Sequence, residues 1–409
     1  MMRQAAVLTT ILAAFLATAL AAAAPQLPPA PQLPGDSIRV SLITFAPGDE
    51  TYELFGHTEL RVISSDLATA ANPAGDWFFN YGVFDFTTPG FFWRFARGQS
   101  DYLCMPVLPS LVTQDNEGRK MTEQVLDLSD DEACALRDYL AWNAQPENRE
   151  YRYRYFSDNC ATRPRDIIER AVGGTLQYHH DSLLRATTYR QLLTRYTTHY
   201  PWEQFGIDMI LGAPCDTLID TRQQMFVPML LARAMATATR DRDGRATPIV
   251  SQTIVLLDGP DDGTVLPPTP WYLGPVAAMT ALLLITLAVC LHDWRRRRLS
   301  RWFDTIFFLS LAIAGAVVWF VAFASSHEAT WPNYNVLWLN PLWLVLAVLV
   351  WRRKWVRPLR YAALAGAILT LITALVWLTC LQVPNVAFWP LAAATTARTL
   401  TLVHHTKRQ

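Results

Sequence analysis

The sequence predicts an α+β exported domain followed by an all-α transmembrane helix bundle. Three observations carry this. The apolar residues, 51% of the 409, gather in the first 24 positions and in the stretch after Trp271. Between those regions, short strand-like runs and amphipathic helical runs follow one another with too few βα alternations for a doubly wound sheet. Lysine and arginine, finally, cluster in some of the loops between apolar runs and are missing from others, as in a chain that threads a bilayer. The net charge is zero, which argues against a nucleic-acid binder held by bulk charge. Fifteen tryptophans and 19 phenylalanines suit a membrane interface.

Residues 1–24 carry one arginine and then an unbroken alanine-rich run, the pattern of a signal peptide or a signal anchor. A proline-rich linker, 25–37, follows, and 38–260 forms the exported, periplasmic domain. Strands are expected at 38–45, 58–63, 77–83, 121–128 and 250–257 from their partial alternation. An aromatic stretch, 89–97, reads as helical. Ser129 and Glu132 have the spacing of a capping box and open a helix over 129–143. The run 151–156 is strand-like, and helical stretches are expected near 181–196, 202–212 and 222–238.

The membrane part, 271–404, holds about five helices: 271–292, 303–323, 334–351, 360–380 and 386–403. The last is the weakest, because it contains Arg398 and several threonines. Arg295 to Arg298 with Arg301, and Arg352, Arg353, Lys354, Arg357 and Arg360, form two basic clusters, whereas the loops 324–335 and 381–388 have no lysine or arginine. With five spans the clusters and the C-terminus lie in the cytoplasm and the 38–260 domain in the periplasm, tethered to a bacterial inner membrane. Five helices are more than a tether requires, which points to work on lipid.

The candidate chemistry centres on Asp158-Asn159-Cys160-Ala161-Thr162-Arg163-Pro164-Arg165-Asp166. Pro164 marks a first helical turn, so Cys160 stands at or just before a helix N-terminus. Unpaired N–H groups and the helix dipole there favour a thiolate nucleophile. A small buried cysteine at a capping turn is the plainer alternative. A base is needed, and the exported segment offers His57, His179, His180 and His199. His57 stands at the mouth of a strand after Gly56, and a strand base beside a cysteine at a helix start is the layout of papain-like folds. With the histidine first in the chain, the order is the circularly permuted one.

Candidates to support the pair are Asn159, Asn80, Asp85 and Glu59, among which the sequence does not choose an orienting partner for His57. Arg163, Arg165, Asp166 and Tyr81 are candidates for substrate binding, the arginines because their fork suits phosphate or carboxylate. Solvated helix charge and core packing are the alternatives for them. His327 and Asn335, in a polar loop running into Asn340-Pro341, are candidates because polar groups at membrane depth are expensive. No C-x-x-C or other zinc spacing is present, so no metal or cofactor is expected. Cys104, Cys134 and Cys215 are available for a disulfide in an exported domain, with no pairing legible.

These residues resemble the Lnb-type lipoprotein N-acyltransferases. The resemblance runs through Phe-Gly-His-x-x-Leu-Arg around His57, Tyr81 to Phe86, Trp93 to Gly98, Asp101-Tyr102, the Asp158 to Asp166 run, Pro201 to Gly212 and Met225 to Pro228. It continues through Asn333, Asn335, Leu337, Trp338 and Asn340-Pro341, and covers about 38–404. It implies a cysteine–histidine acyltransferase with Cys160 as nucleophile and His57 as base. An acyl chain from a membrane phospholipid would pass through a cysteine thioester to the free amine of a diacylglyceryl-cysteine lipoprotein. Two other readings stand beside it. One is a periplasmic papain-like cysteine peptidase or amidase acting on cell-wall peptide, against which the membrane helices weigh. The other is a non-catalytic membrane-anchored binding protein.

Overall fold

A computed structural model describes residues 27–407, apart from 86, 117, 175, 180–185, 261–266 and 353. The expected signal segment and His180 lie outside the described residues. The chain divides into two compact units; one boundary falls at 265/266, near the expected end of the exported domain, and the segments 86–100 and 185–220 group with the tail. The first unit gathers the described residues of 1–85, 101–184 and 221–265; the second gathers 86–100, 185–220 and 266–407.

The first unit is built on one seven-stranded antiparallel sheet. Its strands are β1 (Arg39–Phe45), β2 (His57–Ile63), β3 (Asp76–Val83), β4 (Asp101–Val107), β5 (Met121–Leu126), β6 (Glu150–Arg152) and β7 (Val250–Leu257). Their order is β7-β5-β1-β2-β3-β4-β6. β1 and β2 are buried at every position after the first, so both faces of the sheet are covered at its centre. Helices Asp130–Asn143, Thr162–Ala171 and Pro228–Thr237 pack on these strands; Thr162–Ala171 is designated α1. The Ser129–Glu132 capping box forms, with Ser129 N–H donating to Glu132 Oε2 at 2.7 Å and Glu132 N–H to Ser129 Oγ at 3.3 Å.

β4 escapes sequence reading because Pro106 interrupts it. Proline is tolerated there because β6 pairs only with Asp101, Tyr102 and Leu103, leaving β4 an edge strand at Pro106. The strand expected over 151–156 shortens to β6, since the chain turns at once through a bridge between Arg154 and Asp158. The helical stretch expected over 222–238 is two helices, Thr221–Gln224 and Pro228–Thr237, because Pro228 opens a new first turn. Cys104, Cys134 and Cys215 are all free thiols.

The second unit contains the exposed aromatic helix Phe91–Ala96, helices Tyr189–Tyr196 and Pro201–Ile210, and the apolar tail. In the tail run α2 (Pro275–Arg296), α3 (Arg301–Ala324), α4 (Asn335–Trp338), α5 (Trp343–Leu349), α6 (Val356–Leu378) and α7 (Phe388–Lys407). Three of these, α2, α3 and α6, are long and apolar enough to cross a membrane. The expected third span is broken in two. Pro341 cannot donate to a helical ladder, and Asn340 caps both sides of the break, donating to Leu337 O at 2.8 Å and accepting from Leu342 N–H at 3.1 Å. The fifth, α7, keeps its helix but buries Arg398 completely, between Asp293 and Asp304.

The first unit carries a buried charge cluster of its own. Arg61 on β2, 2% exposed, donates in a fork to Asp76 at 2.8 and 2.6 Å and to Glu123 at 3.2 Å. Its guanidinium also lies 5.1 Å from the Phe78 ring centre. Replacing Arg61 by Met leaves Asp76 without its cation in the core and Glu123 with only Arg39, 3.5 Å away, and breaking such a buried pair costs roughly 3–5 kcal/mol. The expected outcome is a lowered thermal unfolding midpoint of the full-length protein; an unchanged midpoint contradicts it.

Candidate active site

The turn before α1 is shaped by one side chain. Asn159 is buried, and its Oδ1 accepts the N–H of Ala161 and of Thr162, each at 2.9 Å. Its amide nitrogen donates to Tyr155 O at 2.9 Å and to Phe226 O at 2.8 Å. Asn159 is therefore a cap that fixes how Cys160 is presented. It also takes up two of the free N–H groups of the helix start, which are then not available to a bound anion.

Cys160 meets the sheet at the beginning of β2. The groups that act on its sulfur to favour the thiolate are the Thr58 N–H, the Tyr153 hydroxyl and its own N–H. The β2–β3 register opens at Glu59 opposite Asn80, one residue past Thr58. The sulfur is thus held one residue from His57. Gly82 marks the same place from β3: a methyl group there would sit 3.7 Å from Cys160 Cβ, 3.8 Å from Tyr153 Cε2 and 3.9 Å from His57 Cε1. Gly82 has φ +110 and lies where the β3–β4 register shifts between Tyr81 and Val83, a bulge that only glycine forms without strain.

Of the candidate partners of His57, the structure brings up Asn80, whose Oδ1 lies 3.0 Å from Nε2. An amide oxygen only accepts, so Nε2 carries the proton and Nδ1 keeps its lone pair. Glu59 Oε1 stands 3.7 Å from the same nitrogen, at ion-pair distance once the ring is protonated. Asp85 is exposed beyond the end of β3. His179 pairs with Thr239 Oγ1 at 3.4 Å.

The remaining candidates all have partners within the fold. Arg163 forks onto Asp158 at 2.8 and 2.6 Å through Nε and Nη2 and lies over the Tyr151 ring at 3.8 Å. Arg165 bonds to Asp166 at 2.9 Å and to Arg222 O at 2.9 Å, and Asp166 in turn holds Arg222 at 2.6 Å. Tyr81 is fully buried, with its hydroxyl donated to Asn143 at 2.8 Å. In the second unit, His327 Nε2 pairs with Phe95 O at 2.8 Å. Asn335, buried there, donates to Asp208 O at 3.3 Å and Met209 O at 3.2 Å.

Sequence reading missed Tyr153, Gly82 and Arg119. Arg119 is buried, donating to Ala46 O at 2.8 Å, Glu53 at 2.9 Å and Asn116 at 2.8 Å, and it lies 5.8 Å from the Phe45 ring centre. The Phe45 ring is 5.9 Å from that of His57. The alternation Tyr151, Tyr153, Tyr155 is the one sequence signal that bears on Tyr153, and the sequence does not say which of the three reaches the sulfur.

Electrostatics reverses one expectation. The helix start does not produce a resting thiolate: burial, with Cys160 only 8% exposed, pushes its thiol up to about 11. Burial and the Arg119 charge lower His57 to about 4, against the Asn80 bond, which raises it. His57 still exposes 23% of its side chain, so water reaches the ring and tempers that drop. The pair rests as neutral thiol and neutral imidazole. Burial also holds Tyr153 well above the ordinary phenol range, so it remains a donor.

A sheet domain carrying a strand histidine near a buried cysteine at a helix start, followed in the chain by helices apolar and long enough to cross a membrane, defines a membrane protein with an exported α+β domain. Two family models match the chain: the Lnb N-terminal periplasmic domain over residues 30–195 and the Lnb transmembrane domain over residues 268–409. The chain belongs to the Lnb family. No curated protein and no solved structure matches it.

Because the thiol rests protonated, alkylation of Cys160 by iodoacetamide should rise about tenfold per pH unit from pH 6 to 10, well past the ordinary thiol value of about 8.5. Peptide mass spectrometry of the Cys160 fragment measures it. A rate that levels off near neutrality would mean a preformed thiolate–imidazolium pair.

Proposed function

We propose that the protein is a membrane-bound lipoprotein N-acyltransferase. It moves an acyl chain from phospholipid, through a thioester on Cys160, to the N-terminal amine of a diacylglyceryl-cysteine lipoprotein. The observation that supports this most is the meeting of Cys160, His57, Asn80 and Tyr153 within a periplasmic domain whose family also carries a membrane domain. A peptidase acting on cell-wall peptide has no use for apolar helices of this length.

In the first half-reaction, His57 Nδ1 takes the thiol proton as the sulfur attacks the ester carbonyl. Starting from a neutral pair, proton transfer accompanies attack, which is general-base catalysis. The Cys160 N–H and the Tyr153 hydroxyl are the donors placed to hold the tetrahedral oxyanion, in the manner of an oxyanion hole. Collapse breaks the ester C–O bond, and the lyso-lipid alkoxide leaves with the proton from His57. In the second half, the lipoprotein amine attacks the thioester, His57 accepts its proton, and the Cys160 sulfur leaves and is reprotonated. The ester is consumed and an amide formed, with no redox change and no cofactor. Glu59 and Asn80 both support the imidazolium that forms between the two proton transfers. The reading also puts the 38–260 domain in the periplasm, about five helix passes in the inner membrane, and the C-terminus in the cytoplasm.

Incubating the full-length protein with chain-labelled phospholipid should add one acyl mass to the wild type, released by hydroxylamine, and none to Cys160→Ala. Asn80→Ala should slow acylation by roughly 10- to 100-fold, toward the lower end of what a misplaced general base loses. A thioester carrying unlabelled chain from added lipoprotein would move the donor role to the acceptor's own glyceryl esters. Lipoprotein N-termini that remain free amines in the presence of active protein would sink the proposal.

A further inference from the structure

One end of the membrane unit holds a feature that acyl transfer in the first unit does not use. A cavity of about 300 Å³ opens where four segments end: the α2–α3 loop and the start of α3, the end of α5, the start of α6 and the end of α7. Arg301 and Arg352 line it, together with His405, and Leu349, Val356 and Leu359 form an apolar wall. Among the described residues neither guanidinium has a hydrogen-bonded or acidic side-chain partner; Arg301 has only the Trp351 ring, 5.9 Å away. The nearby carboxylates are already committed, since Asp293 and Asp304 both hold Arg398. The positive charge at the cavity is therefore uncompensated.

The depth of the cavity is marked independently. Exposed tryptophans 294, 302, 351 and 355 stand at the same helix ends, with Trp302 and Trp351 in contact at 5.0 Å between ring centres. Tryptophans in such a belt sit at the level of lipid headgroups. Arg295 to Arg298, Lys354 and Lys407 lie at these helix ends or in the adjoining loops and add attraction for anionic lipid. A basic pocket between helix ends at headgroup depth, with apolar side chains below it, matches a lipid phosphate with its chains still in the bilayer. A free metabolite would have no use for the tryptophan belt or the apolar wall.

We propose that this cavity is a binding site for an anionic phospholipid, its phosphate between Arg301 and Arg352 and its chains against Leu349 and Leu359. The site is distinct from the one that contains Cys160, and occupancy does not depend on catalysis.

The test is native mass spectrometry of the full-length protein released from detergent with added phosphatidylglycerol or phosphatidylcholine. The expected result is one retained phosphatidylglycerol, weakened roughly thirtyfold in R301Q/R352Q, since each arginine near an anionic surface contributes roughly fivefold. R301K/R352K should restore retention. Val356→Trp, which fills the cavity and leaves both arginines in place, should also abolish it, and covers the case in which the double glutamine variant does not fold. Equal retention of the two lipids, retention unchanged in R301Q/R352Q or in Val356→Trp, or displacement of the lipid by an equal concentration of inorganic phosphate overturns the proposal.

Discussion

The packing of the Cys160 turn and α1 on the start of β2 ties the helical layer of the first unit to its sheet. Thr58, whose N–H favours the thiolate of Cys160, follows His57 on the same strand, so one strand start brings both the base and that N–H to the nucleophile. Everything nearby keeps that contact in register. Asn159 stitches the turn from inside, with bonds to both Tyr155 and Phe226, and the Arg163–Asp158 fork clamps it from outside. The bulge at Gly82 keeps side-chain bulk out of the gap between the ring and the sulfur. Loosening any one of these would move the sulfur relative to a histidine that is itself held by Asn80 on the neighbouring strand.

The same contact explains why the site is electrically quiet. A helix N-terminus offers a thiolate a fraction of a charge, worth at most about 2 kcal/mol in favourable geometry. Asn159 has already taken two of the N–H groups that would deliver it. Removing the sulfur from water acts in the opposite direction and prevails, which is why the thiol lies high. Arg119, fixed by Ala46, Glu53 and Asn116, adds a second positive charge that disfavours protonation of His57. A neutral base beside a neutral thiol is compatible with the neutral ester that we propose as substrate, because no ion pair must be dismantled for it to enter.

What the sequence made legible follows from what kind of constraint each residue answers to. Cys160 beside Pro164 and His57 after Gly56 stand out because helix starts and strand mouths have local signatures. The α+β class follows in the same way from periodicity. Arg163, Arg165 and Asn335 were candidates on chemistry alone, and nothing local reveals that Asp158, Asp166 and the Asp208 and Met209 carbonyls already engage them. Tyr153 and Arg119 reach the site only because β6 and β5 pair where they do, and pairing between distant strands leaves no trace in a short window. The strand β4 was hidden by Pro106, which is permitted by an edge that only the finished sheet defines.

The membrane unit shows where hydropathy misleads. A window average treats a helix as though all its sides met the same surroundings. On α7 they do not: Arg398, Thr395 and Thr399 are fully buried and Leu400 is exposed. The guanidinium is matched by Asp293 from α2, at 2.7 Å, and by Asp304 from α3, so three helices are joined at one charged knot. In lipid a lone arginine would be prohibitive, whereas a buried and paired one specifies which helices adjoin. Asn340 does comparable work at the break between α4 and α5, replacing with its own side chain the backbone bonds that Pro341 removes. Both segments look weak by apolar content because their polar residues point at other helices. The polarity that lowers their score is what holds the bundle together.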